Sequence, residues 1–175
     1  MKSNKKIIIF SILIIALFFV GKYAYDMNIN HNFETITEGK VYKSGVIPPN
    51  EIADYVKKYH IKSIVDLRFP GTADLVNNPE VPQELIDERE AVAKINGVNY
   101  FNNGSDQVPK QENLNRFFKI MDIKDNYPVL IHCYHGVGRA EMYSALYRIE
   151  YEGWSNEDAR KGVRTFIKWS SFDDG

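Results

Sequence analysis

The chain has 175 residues, 44% hydrophobic and 13% aromatic, enough apolar material for the core of one compact domain and too much for a disordered chain. Lysine and arginine number 22 against 23 acidic residues, so no overall field draws nucleic acid or an anionic surface, and any anion site must be local. The single cysteine, Cys133, excludes an intrachain disulfide and points to chemistry.

At the N-terminus, basic MKSNKK runs into IIIFSILIIALFFVG, which is apolar on every face and broken only by Ser11. A buried core helix would be striped instead. The run is about 15 residues long, between a signal-peptide core and the roughly 20 residues that span a bilayer. Lys22, Tyr23 and Tyr25 suit a membrane interface, and no small-x-small cleavage pattern follows. Residues 1–25 therefore read as a signal-anchor or signal peptide. Lys2, Lys5 and Lys6 stay cytoplasmic and the rest is exported, either anchored or, after cleavage, secreted. Residues 26–38 lack apolar periodicity and read as a tether, leaving 39–175 as one domain.

That domain alternates short apolar runs with striped helices, the pattern of an α/β layer fold. Ile52, Tyr55, Val56 and Tyr59 mark one helical face, and IKSIVDLRF follows as a buried strand. PQELIDEREAVAKIN reads as a helix and GVNYFN as a strand. Leu114, Phe117, Phe118 and Met121 stripe the next helix, before the strand YPVLIHC. Met142, Ala145, Leu146 and Ile149 mark the buried face of a helix stopped by Gly153. A last helix starts after Ser155 as N-cap and runs to Trp169.

Cys133 thus ends a strand, and Arg139 starts a helix five residues later. Between them, Tyr134, His135, Gly136, Val137 and Gly138 form a loop whose two glycines allow a tight curl with N–H groups converging on one point. The following helix adds its positive end, and Arg139 can grip two oxygens of a phosphate or sulfate. The same field favours a thiolate at Cys133. His132 is expected to orient the loop through backbone carbonyls, and Asp66 with Arg68 to form a structural ion pair.

A nucleophile also needs a proton donor for the leaving oxygen. Asp106, in the polar loop NNGSDQVPK, is the candidate, with Asp122 and Asp125 as competitors. A metal site built from His132, Cys133 and His135 is the rival reading, and it lacks a fourth ligand. His135 is expected on the rim, with Tyr134 and Val137 facing outward.

HCYHGVGRA resembles the His-Cys-x-x-Gly-x-x-Arg-Ser/Thr signature of the cysteine-dependent protein tyrosine phosphatases. VYKSGVIPP, IKSIVDLR, NYPVLIHC and ALYRIEYEGWSNEDA extend the likeness, in order and spacing, to the compact dual-specificity branch and especially its exported bacterial members. The resemblance implies a central, mostly parallel sheet flanked by helices, a phosphocysteine intermediate, no cofactor and no metal, and an aspartate upstream of the cysteine, where Asp106 lies. Low-molecular-weight phosphatases carry the loop near their N-terminus, and a rhodanese-type carrier needs no such aspartate.

One departure stands out: Ala140 replaces the Ser or Thr after the arginine, with Glu141 next. The resemblance then implies slower breakdown of the phosphoenzyme. The expected partner is a phosphorylated protein carrying phosphotyrosine, with phosphoserine or phosphothreonine as further substrates. A phosphate-binding docking module of weak activity is the alternative. An inositol phosphate is a less favoured substrate, because neither Tyr134 nor Val137 is basic.

Overall fold

The computed structural model describes residues 2–70 and 81–163. Five strands form one sheet in the order β1-β2-β5-β3-β4. These are β1 (Glu34–Thr37), β2 (Val41–Ser44), β3 (Ser63–Asp66), β4 (Asn99–Asn102) and β5 (Val129–His132). Only β1 runs antiparallel to its neighbour; the other pairings are parallel. The expected helix-flanked, mostly parallel sheet is what the chain forms.

Alternation along the inner strands explains why both faces are covered. Val129 and Ile131 of β5 face a core shared with Val41, Val65, Phe117, Met121, Tyr143 and Tyr147. Leu130 faces the other way, with Tyr42, Ile64, Ile52, Val56 and Val92. A period of two places successive side chains on opposite faces, so strands buried on both read as continuous apolar runs. Helices α2 (Ile52–Tyr59) and α3 (Val81–Ala93) supply residues to the second core, while α4 (Gln111–Met121) and α5 (Arg139–Glu152) supply the first.

Helix ends follow their sequence cues. Gly153 closes α5 in a left-handed conformation at φ 69°. Ser155 caps α6 (Asn156–Val163), its Oγ accepting the Asp158 N–H at 3.1 Å. The stretch expected to carry this helix on to Trp169 lies outside the described residues.

Two expectations are corrected. The inward face of α5 is Ala140, Tyr143, Ser144 and Tyr147, spaced i, i+3, i+4, i+7. Of the stripe expected there, Leu146 packs against the main core, whereas Ala145 and Ile149 pack with Ala159 of α6 instead. A central helix has neighbours on two sides, so its most hydrophobic stripe need not meet the main core. Residues 26–38 are likewise no tether. Helix α1 (Lys2–Asn28) continues into this stretch, a turn follows, and β1 pairs with β2. Phe33 anchors the turn, stacking on Tyr59 at 4.3 Å and on Tyr42 at 5.5 Å.

Helix α1 (Lys2–Asn28) contains a stretch, Lys5–Asn28, with mean hydropathy 2.5 in its most apolar window, long and apolar enough to cross a membrane by length and composition. Its side chains from Lys5 through Tyr25 are exposed.

Candidate active site

The site follows from strand register. Ser44 of β2 pairs with His132 of β5, His132 with Asp66 of β3, and Asp66 with Asn102 of β4. Four parallel strands therefore end level, and the segments after them emerge at one edge, the place where open α/β sheets bind ligands. The segment after β5 is the cysteine loop.

Cys133 is buried, at 2% exposure. The next three carbonyls are all held from outside the loop. Tyr134 O accepts the Val46 N–H at 2.9 Å, His135 O accepts Asn32 Nδ2 at 3.0 Å, and Gly136 O accepts Lys43 Nζ at 3.2 Å. In a planar trans peptide the C=O and the following N–H point in opposite directions. Anchoring these carbonyls outward therefore turns the N–H groups of His135, Gly136 and Val137 inward.

Gly136 makes the close anchoring possible. Its φ is +73°, and a Cβ there would sit 2.4 Å from the Gly45 nitrogen and 2.6 Å from the Ser44 carbonyl carbon. No other residue fits this backbone-on-backbone contact. The fourth peptide faces the other way, with the Val137 carbonyl accepting from Cys133 Sγ at 3.3 Å. The sulfur therefore lies against a carbonyl on the side opposite the inward N–H groups. Val137 is exposed, as expected, and Tyr134 is half-buried with its ring edge-on to exposed His135 at 4.6 Å.

Arg139 opens α5 and is half-buried. Its Nη1 donates to Leu67 O at 2.9 Å and to Ser105 O at 3.3 Å, the segments leaving β3 and β4. One arm of the guanidinium is thus fixed, and Nε with Nη2 find no partner among the described residues. Asp106 is exposed and sits between two residues that touch this machinery. Ser105 holds Arg139, and the Gln107 side chain lies against Gly138. Its loop is pinned to α4 by Asn113, whose Nδ2 donates to Gly104 O at 2.7 Å, and by Asn103, which donates to Asn113 O at 3.1 Å. Asp106 also lines a cavity of about 240 Å³ with Phe69, Pro70, Lys110 and Arg116. Asp122 ends α4 and accepts from the Tyr151 hydroxyl at 2.8 Å, and Asp125 lies in the turn before β5. Both precede β5, whose far end carries Cys133, so the topology keeps these competitors away from the loop.

Among the described residues, the His132 ring donates to no backbone carbonyl. It points to a buried cluster in which its Nε2 lies 2.8 Å from Glu88 Oε1 and 3.7 Å from Asp66 Oδ1. Arg68 donates from Nε and Nη2 to both oxygens of Asp66 and also reaches Glu88. The ion pair expected between Asp66 and Arg68 is thus half of a tetrad, with the Tyr100 hydroxyl donating to Asp66. Burial pulls the His132 imidazole down, but the carboxylates of Glu88 and Asp66 outweigh it and raise its pKa above the ordinary value. For Asp66, burial pushes upward and the charges of His132 and Arg68 outweigh it, holding the carboxyl below its ordinary range. Asp66, Glu88 and His132 have ligand atoms within 4.8 Å of one another, yet the guanidinium of Arg68 already occupies both carboxylates. That donor set suits an arginine better than a metal ion.

Lys43 went unnoticed in the sequence. It is 2% exposed, and its Nζ lies 2.9 Å from Glu34 and 3.9 Å from Glu141 as well as on Gly136 O. Glu141 is therefore drawn toward a buried cation under the loop, which offsets its repulsion of phosphate. Asn32, Glu88 and Ser105 were also missed. The one available signal was Lys43 itself, a charge inside a strand that must find partners once both faces are covered.

A family model described as "DSP-PTPase phosphatase fused to NAD+ Kinase" matches residues 20–170. The dual specificity protein phosphatase TpbA of Pseudomonas aeruginosa is 34% identical over 55 residues, 31% of this chain and 25% of that protein. The matched segment thus spans about a quarter of that curated relative. The crystal structure of P. aeruginosa TpbA in complex with pTyr aligns with a TM-score of 0.58 and 19% identity, over 78% of this chain and 74% of that one. The core catalytic domain of the PP-IP phosphatase SIW14 from S. cerevisiae, in complex with citrate, aligns at 0.53 and 20%, covering 75% of each chain. At these identities the structural likeness is one of fold.

Proposed function

The chain belongs to the DSP-PTPase phosphatase family, and on that premise we propose that it hydrolyses phosphotyrosine in proteins, with phosphoserine and phosphothreonine as further substrates, through a phosphocysteine intermediate. The observation that carries this reading is the outward anchoring of three consecutive loop carbonyls, which aims three N–H groups at the space above Cys133.

Phosphate enters with its oxygens on those N–H groups and on the Nε and Nη2 edge of Arg139, displacing the contact between Sγ and Val137 O. Fixed donors suit the charge that spreads over the oxygens in the transition state. Cys133 Sγ, as the thiolate that the second step regenerates, attacks phosphorus as the bond to the ester oxygen breaks, and Asp106 gives that oxygen its proton. Water then attacks the phosphocysteine, Asp106 takes the water's proton, and the sulfur leaves as a thiolate. The cavity beside Asp106, walled by Phe69 and Pro70, offers apolar surface to the leaving group. Helix α1 holds this domain at a membrane, with the site on the exported side.

Ala140 and the carbonyl facing Sγ favour a second reading, a docking module that binds phosphate and turns it over slowly. Full-length protein and its Cys133→Ser variant, assayed on p-nitrophenyl phosphate, separate the two. Hydrolysis should fall at least about a thousandfold in the variant, with radiolabelled phosphate trapped on Cys133 of the parent protein. Equal rates would remove the enzyme reading, and phosphate-competable binding without turnover would establish the module.

A further inference from the structure

We propose that the turn leaving α1 is a working part of the phosphate site, and that Asn32 is a positioning residue which holds the His135–Gly136 peptide in its phosphate-binding orientation. This deepens the function proposed above and rests on it.

Asn32 Nδ2 donates to His135 O at 3.0 Å, across 103 residues of sequence. Of the three groups that anchor the loop carbonyls, it alone comes from outside the β2 hairpin and its exit. The peptide it holds is the least self-constrained in the loop, because it ends at Gly136 with φ +73°. Released, that peptide can rotate, and its N–H no longer points at the oxygens of a bound phosphate. Phosphate must then order it on binding, which costs affinity.

The turn is built to hold this donor still. His31 O accepts the Gly45 N–H at 2.7 Å, and Gly45 itself abuts the phosphate loop, with a Cβ there only 3.0 Å from Tyr134 O. His31 Nε2 sits 2.9 Å from Glu51, the residue preceding α2. His31 and Asn32 both have positive φ, 50° and 53°, a conformation that L residues seldom adopt and that surrounding contacts must maintain. A stretch that only joined a helix to a strand would not need two such residues in succession, nor would it reach into a catalytic loop.

The decisive variant is Asn32→Gly. Glycine accepts positive φ more readily than asparagine, so the fold of the turn is kept or improved while the donor is lost. Full-length Asn32→Gly in detergent should bind inorganic phosphate, measured as a competitive inhibitor of p-nitrophenyl phosphate hydrolysis, about tenfold more weakly, with KM raised alike. Its Tm should stay at or above that of the parent. Asn32→Asp tolerates the same backbone but places an acceptor against a carbonyl, and should lose at least as much affinity. Unchanged phosphate inhibition and KM in both variants would overturn the role of Asn32 while the Cys133-dependent activity stood. A fall in Tm matching the loss of affinity would show the residue to be structural only. Absence of Cys133-dependent hydrolysis in the parent would instead sink the underlying function.

Discussion

Asp106 is exposed, whereas both of its neighbours are engaged, Ser105 by Arg139 and Gln107 against Gly138. A carboxylate so placed is free to act on whatever occupies the cavity, while its backbone stays in register with the phosphate loop. General acid catalysis matters only when the leaving oxygen needs a proton. Asp106→Asn should therefore slow hydrolysis of an alkyl phosphate or phosphotyrosine by about a hundredfold, but that of p-nitrophenyl phosphate by no more than about fivefold. Similar losses on both would exclude Asp106 as the acid. This residue could be proposed from the sequence because a polar loop between a strand and a helix is a local feature and the resemblance puts an aspartate upstream of the cysteine. Lys43 and Asn32 could not. They act on Gly136 and His135, residues 93 and 103 positions away, and such pairings exist only once β2 and β5 lie side by side.

Helix α3 meets the sheet through charge as well as through Leu85 and Val92. Glu88 reaches inward to Arg68 at the end of β3 and to His132 at the end of β5, with Asp66 and Tyr100 around them. With His132 protonated, two cations face the carboxylates of Asp66 and Glu88, and Glu84 adds a third carboxylate 3.6 Å from Arg68. The sequence showed the Asp66–Arg68 half, because the residues are two apart. Glu88 looked like one acidic residue among several on a surface helix. Because the folded pKa of His132 is raised, its stabilising contribution is complete below about 6.5 and is lost as pH rises through the folded value. Asp66 works in the opposite sense, contributing above about 3.9 and failing as pH falls below that. Stability should thus peak between about pH 4 and pH 6.5 and decline toward alkaline pH. Glu88→Gln should cost about 3 kcal/mol near pH 6, because it leaves buried cations short of a partner, and should flatten the alkaline slope. Thermal melts of the two proteins from pH 5 to pH 9 decide it, and parallel curves would mean that Glu88 does not set the charge on His132.

At the scale of the whole molecule, the apolar run and the phosphate loop are joined by very little chain. From Gly21 at the end of that run to Asn28 at the end of α1 are seven helical residues, about 10 Å along the axis. The headgroup layer takes up roughly 5–8 Å of that on each side of a bilayer. Asn32 then sits on the phosphate loop itself, and the turn between is fixed by Phe33 and His31 rather than loose. A domain on a flexible tether samples a wide volume, whereas the membrane attachment proposed above would hold this one with its ligand-binding edge near the membrane surface. Substrates fixed to the same surface meet it at a raised effective concentration. With full-length protein reconstituted in vesicles, a phosphotyrosine peptide bearing a lipid tail should be hydrolysed about tenfold faster than the same peptide without the tail at equal total concentration. The advantage should shrink when both are dissolved in excess detergent micelles, which dilute enzyme and substrate into separate particles. If the tailed peptide is cleaved no faster in vesicles, α1 does not hold the site at the surface, and the short rigid link is there for the phosphate loop alone.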